Sequence, residues 1–238
     1  MFDSFKRWLS KDKLSNDDRD KLIDKQINRN YKSKEFFQFS KEILSPRIRA
    51  LGFKGSGANF RRTTDRYIHT IQVFQDKYGG ECWIELGVHL VFLPDSCENK
   101  IDIKNIKTID CFIRKDLMQD NGNRNFDNGE TPEEINETLS AIANLIETKA
   151  IDFFGNFTKF PEPFESLSTI NQTELPEYLR ENTWMGTSSR ICMQLARIKL
   201  ILGDKEKAYE LAKYGAEVLE PKNPTLRIHF EKILRDEI

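Results

Sequence analysis

Three observations predict an α+β fold, in which an antiparallel sheet of about four strands packs against helices and is followed by a C-terminal helical hairpin plus a last helix. Residues 67–75 and 81–92 alternate apolar and polar side chains on either side of Gly79-Gly80, the period of two paired strands. Residues 131–155 open on a capping sequence and then keep a 3.6-residue apolar period. From Thr187 onward the helical period recurs, interrupted only at Gly203-Asp204 and Pro221. With 238 residues, 38% hydrophobic and 32% charged, the chain has room for one sizeable core and an accessory module. Its 17 Phe, 6 Tyr and 3 Trp provide the anchors that disordered chains lack.

In chain order the sequence divides into a basic N-terminal arm or short helix (1–32), an α+β domain (33–157), a Phe/Pro-containing linker (158–186) and C-terminal helices (187–238). Residues 14–30 set Leu14, Leu22, Ile23 and Ile27 on a thin apolar stripe behind Asn16-Asp17, which predicts a short amphipathic helix. Residues 33–51 repeat Phe36, Phe39, Ile43, Leu44, Ile48 and Leu51 at helical spacing and stop at Gly52, with a kink or break expected at Pro46. The stretch GFKGSGANFRR is a glycine-marked turn leading into a strand.

In the strand at 81–92, Cys82, Ile84, Leu86, Val88, Leu90 and Phe92 form one apolar face that packs on helices. Trp83, Glu85, Gly87, His89 and Val91 form the other, expected to be at least partly open. TIDCFIR, residues 108–114, alternates as a further strand. After an Asn/Asp/Gly-rich loop, Thr131 caps a helix, Pro132 fits its first turn and Glu134 completes a capping box. Pro161 and Pro163 lie among Phe157, Phe160 and Phe164, a linker held to the body by its rings. The small residues Ala196, Ala208, Ala212 and Gly215 let two antiparallel helices approach closely, in the manner of one tetratricopeptide-type hairpin acting as a buttress.

Several chemistries are disfavoured. The longest apolar run, Leu86 to Leu93, falls far short of the roughly 20 residues of a membrane span. The N-terminus MFDSFKRWLSKDK lacks an apolar signal core, so a cytoplasmic protein is expected. Cysteines 82, 97, 111 and 192 form no CxxC pair, which predicts reduced thiols and no bound metal. No GxSxG, P-loop or HExxH sequence occurs, so neither catalytic residues nor a cofactor are expected.

The net charge of −1 hides a division. Residues 1–66 hold 17 Lys and Arg against 9 Asp and Glu, whereas residues 127–181 hold 12 carboxylates against Lys149, Lys159 and Arg180. Fields of this kind select partners by sign.

The succession of a helix, GFKGSGANFRR, IHTIQVFQDKYGGECWIELGVHL, IDCFIRKDL and a TPEE-started helix resembles the bacterial domain-of-unknown-function 4304 family over about residues 33–157. The resemblance implies a fold and no particular reaction. By analogy with small bacterial domains of this kind, it suggests an immunity or antitoxin-type partner.

Three readings of function follow. The first is a protein-binding module that masks a basic protein surface, such as a cognate toxin, with Glu130, Glu137, Glu174, Glu177 and Glu181 beside Tyr178 and Trp184. The second is a nucleic-acid binder using Lys54, Arg61, Arg62 and Arg66, with Phe60 and Tyr67 interleaved. The third is an enzyme on the Trp83, Glu85 and His89 face, with His69, Asp65 and Glu81 nearby.

Overall fold

The structure is a computed structural model that describes residues 15–76, 79–95, 97–167, 175–220 and 223–237. Helix α1 runs without a break from Asn16 to Ala50, starting where the Ser15 hydroxyl accepts from the Asp18 N–H. The expected pair of helices is thus one helix, and Pro46 lies inside it. Tertiary bonds brace this end: Ser40 donates to the Gly57 carbonyl at 2.7 Å and the Gly57 N–H donates to Ser45 Oγ at 3.0 Å. These clamp the helix to the following hairpin around the position where proline removes a backbone donor. Phe36, Ser40, Leu44 and Ile48, one side of the helix at four-residue spacing, are buried.

Strands β1 (Lys54–Ser56), β2 (Asn59–Thr64), β3 (Tyr67–Gln75) and β4 (Glu81–Leu90) form an antiparallel meander. Short strands β5 (Ile113–Asp116) and β6 (Phe126–Asp127) both pair with β4, and β7 (Thr183–Trp184) pairs with β5. The antiparallel sheet therefore has seven strands in the order β1-β2-β3-β4-β5-β7, with β6 beside β4. The strand expected at 108–114 is displaced. Thr108–Asp110 form a 3₁₀ turn closed by the Lys107 N–H donating to Asp110, and pairing begins only at Ile113.

The capping box at Thr131 and Glu134 is present and starts α2 (Pro132–Leu145). A π-helical turn, Ile146–Ala150, carries the chain on to α3 (Ile151–Gly155). Ile135, Leu139, Ile142 and Ile146 cover the sheet face formed by Ile71, Cys82, Ile84, Leu86 and Val88. Arg47 ties α1 to this helical stretch, donating to Glu147 and Asn144 at 2.7 Å each.

The Phe/Pro segment is held by its rings, as expected. Phe157 and Phe164 are buried against Tyr67, with centroids 6.0 and 6.2 Å away. After the short helix α4 (Glu177–Arg180) and β7, helices α5 (Ser188–Ile201), α6 (Lys205–Glu217) and α7 (Pro224–Leu234) complete the chain. Gly203, at φ +81°, makes the turn between α5 and α6, and Asp204 caps α6. A Cβ on Gly215 would lie 2.4 Å from the Phe230 ring, so the close approach of these helices requires glycine there.

Leu195, Ile198 and Leu211 belong to the same buried cluster as the sheet and α2. The buried Lys199 donates to the Glu165 carbonyl at 2.9 Å, and Arg197 pairs with Glu98 at 2.6 Å. Among the described residues no helix is long and apolar enough to cross a membrane.

Candidate functional site

The two faces of β4 have different fates. Cys82, Ile84, Leu86, Val88 and Leu90 face the helices and are buried, as their alternation predicts. The opposite face is open only in part, in line with the sequence expectation, and its middle is covered. His89 is 1% exposed, and Ile106, Thr108 and Cys111 cover Ile68, Thr70 and Gly87. The end carrying Trp83 and Glu85 adjoins solvent, with Glu85 itself 9% exposed, and Val91 at the far end is half-buried.

Strand pairing builds a cleft at this end. Glu85 stands directly opposite Asp116, Gly87 opposite Arg114, and Arg114 opposite Trp184. Arg114 donates from Nε and Nη2 to Glu85 Oε2 at 3.0 and 2.6 Å, and its guanidinium carbon lies 5.1 Å from the Trp184 ring centroid. Arg124 donates to Asp116 Oδ2 at 3.1 Å and lies 5.1 Å from the Trp83 centroid. Trp83 in turn stacks on Phe74, centroid to centroid 5.3 Å.

Glu85, Arg114, Asp116, Arg124, Asn182 and Trp184 line a cleft of about 310 Å³. Trp184, 52% exposed, also borders a smaller hollow beside Ile109, Met185 and Arg190. Paired carboxylates opposite one another would repel; here each has its own arginine. The cleft thus offers hydrogen-bond donors, acceptors and an indole surface, and among the described residues it presents no thiol, hydroxyl or imidazole side chain.

The histidines do not combine. His69 on β3 pairs with Val88 and points to the helical side, whereas His89 pairs with Ile68 on the opposite face. His69 Nε2 donates to the Phe157 carbonyl at 2.8 Å, Nδ1 accepts from Arg62 at 3.2 Å, and the ring stacks on Phe154 at 4.6 Å. Burial, with Arg62 adding, pushes its pKa down to about 4. His89 Nε2 donates to the Leu93 carbonyl at 3.1 Å and Nδ1 accepts from the Phe112 N–H at 3.0 Å, with burial pushing its pKa down to about 4. Both ring nitrogens of each are spent on structure. Among the described residues no group of three or more His, Cys, Asp or Glu side chains is arranged to hold a metal ion.

The basic cluster is divided by the sheet. Lys54 is exposed and faces Arg61 across the β1–β2 ladder. Arg62 turns inward, donating to the Leu51 carbonyl at 2.9 Å and lying 4.6 Å from the Phe53 ring centroid. Arg66 sits 5.3 Å from the Phe160 ring centroid, while Phe60 and Tyr67 are fully buried.

The acidic residues also fall into two groups. Glu130 and Glu137 stand exposed at the start of α2, whereas Glu177, Glu181 and Trp184 stand exposed on the segment that adjoins β5. Tyr178 turns inward to Phe157 at 5.7 Å, and Glu174 lies outside the described residues. The Lys115 ammonium donates to the Glu181 carbonyl at 2.6 Å and fixes this segment. Sequence reasoning overlooked Arg114, Asp116, Arg124 and Asn182 as cleft residues. The usable signal was the parity of Arg114 and Asp116, which places both on the face of Glu85.

Residues 44–156 match the model of the family described as Domain of unknown function (DUF4304), inside the span of the sequence resemblance. No curated protein and no solved structure matches the chain.

Proposed function

We propose that this chain, similar over residues 44–156 to the Domain of unknown function (DUF4304) family, is a non-catalytic protein-binding module. Its most concrete form is an immunity or antitoxin-type protein of the bacterial cytoplasm that masks a basic partner surface with its acidic region. The observation that carries the reading is the segment around Trp184. A half-exposed indole is held in place by Arg114 and the β5 ladder, with Glu177 and Glu181 exposed on the same segment. Fixed aromatic anchors supply holding energy at interfaces, and flanking carboxylates steer a basic partner. Glu130 and Glu137 extend the acidic field along α2.

The test is kinetic. Glu130, Glu137, Glu177 and Glu181 are reversed to Lys, and association with the product of the neighbouring gene is followed at two salt concentrations. The reading expects intact folding and an on-rate about 10- to 1000-fold slower at low salt. An unchanged on-rate, or binding lost instead with Lys54→Glu and Arg61→Glu, overturns it and favours the basic edge.

A further inference from the structure

We propose that the cleft between Arg124 and Trp184 is a binding site for a neutral polyhydroxylated ligand, of the class of a short saccharide. The argument starts from charge. The charged side chains that meet there are two guanidiniums and two carboxylates, joined as Arg114–Glu85 and Arg124–Asp116; Lys115 also borders the cleft, but its ammonium is spent on the Tyr178 and Glu181 carbonyls and lies over the Phe153 ring. An entering phosphate or sulfate meets two carboxylates, and an entering ammonium meets two guanidiniums, so the field selects against an isolated ion of either sign.

Hydrogen-bonding capacity is nevertheless left over. Arg114 spends Nε and Nη2 on a single oxygen of Glu85, and Arg124 spends only Nη1 on a single oxygen of Asp116. Among the described residues, Glu85 Oε1, Asp116 Oδ1, Arg114 Nη1 and Arg124 Nη2 have no hydrogen-bond partner. Arg124 Nε is unspent as well, so the free groups are two carboxylate acceptors and three guanidinium donors, those of Glu85, Asp116 and Arg114 set side by side by the strand register. A hydroxyl both donates and accepts. A pair of neighbouring hydroxyls can take one bond from a guanidinium and give one to the adjoining carboxylate without breaking either ion pair.

A second observation points the same way. The ring of Trp83 lies under Arg124 and its buried Nε1 has no partner, nor does the buried Oδ1 of Asn125, the next residue in the chain. Buried polar atoms left unpaired are costly, and a water or a ligand hydroxyl would relieve them. Trp184 supplies the remaining element. Its ring takes Arg114 at 5.1 Å yet stays half exposed, so indole surface remains for the apolar C–H side of a sugar ring. A cleft of about 310 Å³ lies at the lower end of small-molecule sites, the scale of one or two pyranose units.

The experiment is a titration of the full chain with maltose, cellobiose and N,N′-diacetylchitobiose, read by tryptophan fluorescence and by calorimetry, beside inorganic phosphate and the peptide Gly-Arg-Gly. The expected result is a saturable response to at least one disaccharide, with Kd on the order of 1 mM, and weaker responses to both charged probes. Trp184→Ala lies on the exposed rim and leaves the fold intact, which circular dichroism checks; it should weaken binding at least about tenfold, as read by calorimetry. Asp116→Asn, which removes the charge and keeps the shape, should raise the response to phosphate. Silence from all three disaccharides overturns the assignment, as does tighter binding of phosphate or of the arginine peptide, or disaccharide binding that Trp184→Ala leaves unchanged.

Discussion

Gly87 and Cys111 touch across the sheet so closely that a Cβ on Gly87 would lie 2.7 Å from Cys111 Sγ and 2.3 Å from Thr70 Oγ1. This contact closes the outer face of β4 over His89 and leaves only the Trp83–Glu85 end for the cleft. Gly87→Ala should cost about 1 to 3 kcal/mol through overpacking, measured by denaturant unfolding. Stability equal to wild type would mean that the 101–112 segment rests loosely on the sheet.

The same burial governs the thiols. Burial pushes the Cys82 and Cys111 thiols up to about 12 and Cys192 up to about 11, while Cys97 is exposed. In native protein at neutral pH, a disulfide reagent such as dithiobis-nitrobenzoate should react rapidly with Cys97 alone and with the other three only on unfolding. A fast second equivalent would show that one of the buried faces opens.

Two buried imidazoles couple the fold to acid. Both His69 and His89 are held down at about 4, mainly by burial, against about 6.5 in an unfolded chain. Between those values the unfolded chain binds the protons and the folded one does not. Their contribution is therefore complete above about pH 6.5 and is lost as pH falls toward about 4. It amounts to about 3 kcal/mol per imidazole at most. Unfolding midpoints in urea should drop between about pH 7 and pH 5, and the His69 and His89 resonances in the folded protein should not titrate there. A flat midpoint over that interval refutes the assignment.

The C-terminal helices are tested through Leu195, which is buried in the cluster shared with the sheet. Leu195→Ala should cost about 2 to 5 kcal/mol. The loss should appear in one cooperative transition followed equally by tryptophan fluorescence and by helical circular dichroism. Two separated transitions would mean that α5 to α7 fold on their own.

Much of this architecture was readable where periodicity is strict. The alternation from Cys82 to Leu90 fixes which side of β4 meets the helices, and Thr131-Pro132-Glu133-Glu134 marks the start of α2 to the residue. What escaped depends on contacts distant in sequence. Pro46 reads as a break, but Ser40 and Ser45 bond to Gly57 and the helix runs on. Strand β7 is two residues long, too short for any alternation, and it is what brings Trp184 onto Arg114. Ile109, Cys111 and Ile113 alternate like a strand, yet a 3₁₀ turn at Thr108–Asp110 leaves Ile109 exposed and Cys111 buried. Of the candidate cleft, Glu85 and Trp184 were thus legible singly, with Trp83 beside it. Their meeting was not, because it rests on the pairing of β5 with both β4 and β7.

The shared buried cluster bears on how portable this domain is. The segment that matches the family model, 44–156, ends one residue before Phe157 and begins eight after Phe36, and both rings are fully buried. Tyr67 and Phe112 within the segment lean on Phe164 outside it, and Cys192 abuts Gly215 still farther along the chain. Transplanting only the matched residues into another protein would strip these aromatic walls from the sheet and leave a sticky, aggregation-prone face. A chimera built to exchange this domain between proteins has its clean seams outside the segment, before Asn16 and after Leu234, so that the helix ahead and the three helices behind travel with the sheet.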